Sequence, residues 1–265
     1  KENSSLAFIG KDVWRLMTYI SDSKTFNTTT NSKVAFEAGR IIGTFHRLLK
    51  DEVISEYRET IPHFHHLPAR QHQFLEALKE STENLRNNAS KEISYALATI
   101  PSFNPFYEEN LPIRICHNDT KLNNILFDKD NNGLCLIDLD TIMPGYFHYD
   151  FGDAIRTITN EAEEDEKDLS KVSFNTKLFK AFMEGLSISE IELTKKEIEL
   201  LPLATGLLPF LHGLRALTDY LNGNVYYKVT YDDQNLDRCR TLFQFTKLAS
   251  SKNNDINNII TQVMA

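Results

Sequence analysis

Five polar side chains that could do chemistry lie just beyond two short apolar runs, residues 113–116 and 134–137. A third apolar run, 125–127, and a turn-forming stretch, 128–133, lie between them and predict a β-hairpin with a polar tip. Such a hairpin brings the start of one strand close to the end of its partner, so the polar side chains should converge. Carboxylates placed together repel one another unless a cation lies among them, which favours a cation site. The five residues are His117, Asp119, Asn124, Asp138 and Asp140.

The pattern His-x-Asp-x4-Asn, followed beyond an apolar strand by a further Asp, is the spacing that kinases use for phosphoryl transfer. In that chemistry an Asp orients the acceptor hydroxyl and can take its proton, while an Asn and a second Asp hold magnesium. Amide and carboxylate oxygens are hard ligands, which magnesium prefers. The bound ions neutralise the charge that develops on the phosphates. The first part of the pattern arises often by chance, and the later Leu-Ile-Asp-Leu-Asp makes it specific.

Three segments, CHNDTKLNNILFD, CLIDLDTIMPG and YDFGDAIR, resemble the aminoglycoside-phosphotransferase-like small-molecule kinases. Within that group the chain looks most like the bacterial N-acetylhexosamine 1-kinases. The resemblance continues in residues 213–229, GLRALTDYLNGNVYYKV, and in NLDRCR, residues 235–240. The segment FHRLL, residues 45–49, is similar to the end of the first helix after the hinge in this family. The resemblance therefore extends over nearly the whole chain.

The resemblance implies transfer of phosphate from ATP, with Mg2+, to the anomeric hydroxyl of an N-acetylhexosamine. It makes Asp119 the catalytic base or orienting carboxylate, and Asn124 and Asp138 the magnesium ligands. Lys121 would approach the transferred phosphate or screen the acidic cluster, and the sequence leaves both roles open. The backbone around Tyr19 would meet the adenine of the nucleotide.

The same resemblance implies an acceptor site built from Asp140, Arg215 and Tyr226. Asp140 would lie at the junction between metal and sugar. Arginine can donate several hydrogen bonds to sugar hydroxyls, and tyrosine combines an apolar ring face with a polar tip. A competing interpretation pairs Arg215 with Asp219, one helical turn further on.

Outside the central stretch the sequence predicts a mostly helical α+β protein with a small β-hairpin sheet. The resemblance implies the C-terminal lobe of a protein-kinase-like fold. Val13 to Ile20 reads as a strand, and it resembles the last strand and hinge of a nucleotide lobe that we expect to be otherwise absent, since the ten glycines form no glycine-rich cluster. We divide the chain into residues 1–22, this strand and hinge, and residues 23–265, the catalytic and substrate-binding lobe. We expect this chain alone to transfer phosphate poorly or not at all.

Apolar residues at helical spacing predict most of the secondary structure. Pro202 and Pro209 should interrupt one of these helices. Gly39 and Gly43, one turn apart, predict close packing against another element. The predicted helices span residues 31–50, 69–87, 91–100, 149–158, 174–186, 194–221, 235–249 and 255–263.

The composition excludes several classes of partner. A net charge of −8 with no basic face argues against nucleic-acid binding. The acidic run 161–168 reads as a solvated surface. The three cysteines have no metal-binding or disulfide spacing, which is typical of a reducing compartment. No unbroken apolar run reaches the roughly 18 residues of a membrane span. We expect a soluble cytoplasmic protein whose partners are a small sugar and a nucleotide.

Other interpretations remain open. A kinase for an amino alcohol or aminoglycoside, or a non-catalytic sugar-binding pseudokinase, would share much of this pattern, whereas a metal hydrolase is disfavoured for lack of a further histidine ligand. The histidines of residues 63–66 are expected at the surface rather than on a metal. His117 is expected to hold its loop through ring hydrogen bonds. Asp150 and Asp153 are expected to cap a helix or anchor the catalytic loop.

Overall fold

The structure is a computed structural model that describes residues 6–264 of the 265-residue chain. Helices make up most of the described residues, and the strands are short, which confirms the mostly helical α+β class. The helices are α1 Ser32–Leu48, α2 Leu67–Glu80, α3 Glu83–Asn88, α4 Ser90–Thr99, α5 Pro105–Glu108, α6 Phe147–Ile158, α7 Thr176–Ile188, α8 Lys195–Leu221, α9 Gln234–Ser251 and α10 Asn253–Val263.

The strands pair into three separate antiparallel hairpins or pairs: β1 with β2, β4 with β5, and β3 with β6. The predicted hairpin is the β4–β5 pair, in which Ile125 lies opposite Leu136. The β3–β6 pair was not predicted; in it Pro144 lies in a short strand opposite Ile115. The strands are β1 Ala7–Ile9, β2 Asp12–Trp14, β3 Arg114–Cys116, β4 Ile125–Phe127, β5 Gly133–Leu136 and β6 Met143–Gly145.

The N-terminal segment differs from its prediction as one long strand over residues 13–20. Only β2, Asp12–Trp14, forms, and it pairs with β1 in a solvent-exposed hairpin. Among the described residues no strand pairs with residues 15–20, so their backbone has no ladder partner. Tyr19 in this segment is 84% exposed.

Two helix predictions were wrong: one joined two separate helices, and the other divided a continuous helix. Residues 69–87 form two helices, because Ser81 adopts an extended conformation and the Thr82 hydroxyl caps α3 by accepting from Leu85 N. Conversely, α8 continues through Pro202 and Pro209. This helix is surrounded by α2, α6 and α9, and tertiary packing offsets the hydrogen bonds lost at the prolines.

Among the described residues, α8 is the one helix long and apolar enough to cross a membrane. In this fold, 78% of its most apolar window is buried inside the protein. That burial is typical of a core helix. Phe210 of α8 stacks on Phe243 of α9, with 5.3 Å between the ring centroids.

Helix α1 packs closely on α7 through the two predicted glycines. A Cβ atom at Gly39 would overlap the carbonyl oxygen of Phe182, and one at Gly43 would overlap the Ser189 side chain. Helix α1 is thereby fixed against the helical core, and it carries His46 to the candidate site.

We expect Gly39→Ala to lower the free energy of unfolding by about 1–3 kcal/mol, because the added methyl group must displace the backbone of α7. Gly206→Ala in α8 is the matched control, since its Cβ would meet Thr246 Cγ2 at 3.5 Å, an ordinary contact. The control should be neutral or stabilise the protein by up to about 1 kcal/mol. Chemical denaturation measures both variants, and equal stabilities would contradict the close packing.

Candidate active site

One buried carboxylate holds the loop between β3 and β4, which carries Asp119. Asp150 in α6 is fully buried, and its Oδ1 accepts a hydrogen bond from Asn118 N at 2.6 Å. Its Oδ2 accepts from His117 N at 2.8 Å and from Nε2 of His46 at 2.9 Å. The loop backbone is therefore fixed immediately before Asp119, which confirms the expected anchoring role of Asp150.

The imidazole of His117 connects this loop to the strand end before Asp138. Its Nε2 donates to Ile137 O at 2.9 Å, and its Nδ1 accepts from Asp119 N at 3.3 Å. The Thr141 hydroxyl donates to His117 O at 2.7 Å. Both ring nitrogens are thus engaged with the backbone, as expected for a histidine that holds the loop.

The Asp119 carboxylate is held through one of its two oxygens. Oδ2 accepts from Lys121 Nζ at 2.9 Å and from Asn124 Nδ2 at 2.8 Å. Asn124 Nδ2 also donates to the Asp119 carbonyl at 2.8 Å. Among the described residues nothing donates to Asp119 Oδ1, so this oxygen remains available to a hydroxyl in the adjoining cavity.

The donor chemistry of Asn124 and Asp138 fits magnesium. The Asn124 amide nitrogen faces Asp119, which leaves its Oδ1 as a metal ligand. Ile137 N donates to Asn124 O at 2.9 Å, so the residue before Asp138 lies directly beside Asn124. Asp138 adopts a left-handed conformation, with φ of 62°, and its side chain is exposed. An exposed carboxylate and a free amide oxygen are a suitable pair of hard ligands.

The expected tight cluster of three carboxylates is not present. Asp140 is 73% exposed and forms an ion pair with Arg15 at 2.7 Å. Within residues 6–264, the one group of three His, Cys, Asp or Glu side chains with ligand atoms within 4.8 Å of one another is His46, Cys116 and Asp150. The Asp150 oxygens in that group are already occupied by three N–H donors, and burial raises the pKa of the Cys116 thiol well above its usual range.

A cavity of about 350 Å³, which we call the Asp119 cavity, is lined in part by this residue. Its wall carries more cationic than anionic groups, and the ring of Tyr227 also lines it. A cavity with this charge balance favours hydroxyl-rich or anionic ligands over cations. The charged residues in the wall are Asp119, Glu164, Lys121, Arg156, Arg215 and Arg238.

Arg215 lies between the Asp119 cavity and a second cavity of about 510 Å³. Its guanidinium carbon lies 5.0 Å from the ring centroid of Phe64, 5.9 Å from that of Tyr226 and 6.0 Å from that of Tyr227. Tyr226 lines only the second cavity and is 69% exposed, whereas Tyr227 lines both. The tyrosine beside Asp119 is therefore Tyr227, which the sequence analysis did not select.

The competing ion pair between Arg215 and Asp219 does not form in the described structure. The Asp219 carboxylate instead accepts hydrogen bonds from Tyr226 N at 2.8 Å, Tyr227 N at 3.0 Å and Asn235 Nδ2 at 2.8 Å. Asp219 therefore positions the two tyrosines, and Arg215 keeps its donors for the cavities.

Part of the acidic run 161–168 belongs to the site and is not simply a solvated surface. Glu164 forms an ion pair with Arg156 and lies 3.7 Å from Arg238. The Arg156 guanidinium holds the pKa of the Glu164 carboxyl below its usual range. Arg156 also pairs with Asp153 at 2.7 Å, so Asp153 is an ion-pair residue, and the N-cap of α6 is Tyr146.

Two predicted nucleotide residues lie in different surroundings. Lys121 is at Asp119, in the wall of the Asp119 cavity. Tyr19 lies on the exposed N-terminal segment and lines neither cavity described above. The sequence analysis also assigned no role to Arg156, His212 and Arg238, although Arg156 and Arg238 lie in quoted segments and His212 directly precedes another, because spacing does not show which side chains line the cavity.

His65 also contacts the loop that carries Asp119. Its Nε2 donates to Asn118 O at 2.9 Å, and its side chain is buried. Burial, followed by the nearby His212, lowers the pKa of His65 to about 3. The prediction that the histidines of residues 63–66 lie at the surface was therefore wrong for His65, whereas His63 and His66 are exposed.

Residues 3–170 match the family model described as APH, the phosphotransferase enzyme family. The chain belongs to this phosphotransferase family. The match includes the whole catalytic stretch from His117 to Asp140. It ends before α8, so Arg215 and Tyr226 lie outside the matched residues.

Solved structures of two kinases share the fold. One is a choline/ethanolamine kinase family protein from Mesorhizobium loti, with 17% identity and a TM-score of 0.51 over 93% of this chain and 73% of that chain. The other is a choline kinase from Cryptosporidium parvum Iowa II, with 13% identity and a TM-score of 0.50 over 87% of this chain and 69% of that chain. At these identities the likeness establishes the fold alone, and it confirms the kinase-like architecture.

We expect acid to destabilise the protein through His65. In the unfolded chain His65 is protonated below about pH 6.5, whereas in the folded chain it is protonated only below about pH 3. The free energy of unfolding therefore decreases as the pH falls from 6.5 to 3. His65→Asn should remove up to about 1.4 kcal/mol per pH unit of this slope. Urea denaturation at several pH values measures it, with exposed His72→Asn as control. An unchanged slope in His65→Asn would show that the histidine is not buried as described.

Proposed function

We propose that this phosphotransferase is an ATP- and magnesium-dependent kinase that phosphorylates the anomeric hydroxyl of an N-acetylhexosamine, giving a sugar 1-phosphate. The observation that supports this most is the placement of Arg215 and Tyr227 in the same cavity as Asp119. An arginine donates to hydroxyls and a tyrosine ring packs on the apolar face of a sugar, so the cavity presents both beside the proposed catalytic carboxylate.

In this mechanism Asp119 receives the acceptor hydroxyl at its free Oδ1 and takes its proton. The sugar oxygen forms a bond to the γ-phosphorus of ATP as the bond between that phosphorus and the β-phosphate oxygen breaks, and ADP leaves. Lys121 and Asn124 hold the other oxygen and fix the carboxylate orientation. Asn124 and Asp138 would hold magnesium, which neutralises charge on the ATP phosphates when bound. We assign Asp140 and Tyr226 to the outer part of the acceptor site.

The charge of the Asp119 cavity supports a neutral acceptor. Lys121, Arg156, Arg215 and Arg238 line it with two carboxylates; Lys121 pairs with Asp119 and Arg156 with Glu164, which leaves Arg215 and Arg238 as the cations in excess. A quaternary or primary ammonium group would be repelled by this excess of positive charge. Sugar hydroxyls can instead accept hydrogen bonds from the same groups.

An amino alcohol or aminoglycoside acceptor is the second candidate. The rings of Tyr226 and Tyr227 meet edge to face at 4.9 Å in the second cavity, which also contains Glu76 and Glu80. Aromatic faces and carboxylates recognise cations. Arg215 and Arg70 line the same cavity and oppose such a ligand, which is why we favour the sugar.

We also propose that residues 1–22 correspond to the last strand and hinge of a nucleotide lobe, with Tyr19 at the adenine, and that the protein is cytoplasmic. The exposed apolar side chains of this segment, including Trp14 and Leu16, support a contact surface of that kind. We expect weak ATP hydrolysis and weak sugar phosphorylation by the 265-residue chain. Robust turnover by this chain would contradict that part of the proposal.

We expect the protein to release more ADP with N-acetylglucosamine or N-acetylgalactosamine than with choline or an aminoglycoside. Asp119→Asn should lower kcat by about 100- to 10,000-fold, because the hydroxyl loses its proton acceptor. Asp130→Asn, on the exposed hairpin turn, is the matched control and should be unaffected. Turnover only with an amine would support the kinase activity and exclude a sugar as the acceptor. Sugar binding without any turnover would indicate a pseudokinase.

We expect Arg215→Met to raise KM for the sugar by about 10- to 100-fold, the loss expected from removing one or two hydrogen bonds from a charged donor. Steady-state kinetics over a range of sugar concentrations measures this. Arg58→Met, at an exposed position distant in sequence from both catalytic and acceptor residues, is the control. A wild-type KM in Arg215→Met would remove Arg215 from the acceptor site.

A further inference from the structure

Three buried polar atoms at and around His212, which lines the Asp119 cavity, have no hydrogen-bond partner in the described structure: His65 Nδ1, Asp153 Oδ2 and His212 Nε2. Two more such atoms, Asn123 Oδ1 and Arg238 Nε, belong to residues that line the same cavity. The rings of His65 and His212 are 5.8 Å apart, and His212 Nε2 lies 3.4 Å from Asp153 Oδ1. Buried polar groups are normally satisfied, so a cluster of unsatisfied ones marks a place where polar contacts with a ligand are needed.

The surroundings of His212 determine which of its nitrogens carries the proton. Asp153 is ionised, since Arg156 lies 2.7 Å away and holds the pKa of this carboxyl below its usual range. The His212 nitrogen that faces this carboxylate, Nε2, therefore carries the proton. Burial, followed by the charge of Arg156, lowers the pKa of His212, so the ring is neutral. Nδ1 is then a hydrogen-bond acceptor.

This acceptor lies in a wall composed mainly of donors. His212 lines the Asp119 cavity, with 18% of its side chain exposed. Lys121 and Arg215 can only donate hydrogen bonds, whereas a hydroxyl both donates and accepts. Besides the carboxylates of Asp119 and Glu164, acceptors on the residues that line the cavity include Asn123 Oδ1, which is buried without a partner, and the unprotonated Nδ1 of His212. A polyhydroxyl ligand needs such acceptors for its own O–H groups.

We infer that His212 is a specificity-determining residue of the acceptor site, whose Nδ1 accepts a hydrogen bond from one non-reacting hydroxyl of the sugar. This inference rests on the proposed function, because it assumes that the acceptor occupies the Asp119 cavity. The ion pair of Asp153 with Arg156 sets the tautomer, so Asp153 acts as a positioning residue. A ligand that offers only an ammonium or methyl group at this point would leave the nitrogen unsatisfied.

Two substitutions at His212 distinguish the roles of its two ring nitrogens. In His212→Asn the amide oxygen can take the place of Nδ1, whereas in His212→Gln the amide reaches the position of Nε2 and no acceptor replaces Nδ1. Calorimetric titration with N-acetylhexosamine should give about a tenfold weaker Kd for His212→Gln, the loss of one hydrogen bond. His212→Asn should stay within about threefold of wild type, and kcat at saturating sugar should change little in either variant.

Deoxy sugars identify the hydroxyl. One of the 3-, 4- and 6-deoxy analogues should bind wild type about tenfold more weakly than the parent sugar, and should lose nothing further in His212→Gln. Parent-sugar binding to His212→Gln equal to wild type, or the same deoxy losses in both proteins, would overturn the inference and leave the proposed function intact. If wild type neither binds an N-acetylhexosamine nor turns it over, the proposed function itself fails.

A measurement on the wild-type protein tests the inference without relying on the folding of the variants. In 15N-histidine NMR spectra, His212 Nδ1 should appear as an unprotonated nitrogen and should move upfield when sugar binds. A protonated Nδ1, or a resonance that sugar leaves unchanged, would overturn the inference even if His212→Gln fails to fold.

Discussion

The buried carboxylate of Asp150 is the contact on which the rest of the site depends. It receives two consecutive backbone N–H groups from the catalytic loop and a ring N–H from His46 of α1. Burying a carboxylate costs free energy unless hydrogen-bond donors surround it. The three donors therefore stabilise the buried carboxylate, and the carboxylate in turn fixes their positions. Helices α1 and α6 must therefore pack correctly before Asp119 can face its cavity.

A second carboxylate, Asp219, does the same for the acceptor side. It holds the backbone of Tyr226 and Tyr227 after the end of α8 and leaves Arg215 without a competing ion pair. The loop with Asp119 and the backbone of Tyr226 and Tyr227 are thus fixed by carboxylates on two separate helices, α6 and α8.

The sequence predicted those parts that depend on local spacing. The β4–β5 hairpin and the loop with Asp119 and Asn124 follow from short-range pattern, and the structure contains both. The wall of the Asp119 cavity could not be predicted in this way, because Glu164 and Tyr227 reach it through long-range packing. Strand prediction failed at residues 15–20 for a related reason: a strand needs a partner, and β-propensity alone does not provide one.

A crystal structure of the protein with an N-acetylhexosamine bound tests the central claim most directly, which is that the acceptor lies with its anomeric hydroxyl at Asp119. The account predicts the anomeric oxygen within about 2.6–3.2 Å of an Asp119 carboxylate oxygen, with Arg215 and Tyr227 contacting the sugar. A sugar bound only in the second cavity, or turned so that a different hydroxyl faces Asp119, would contradict it.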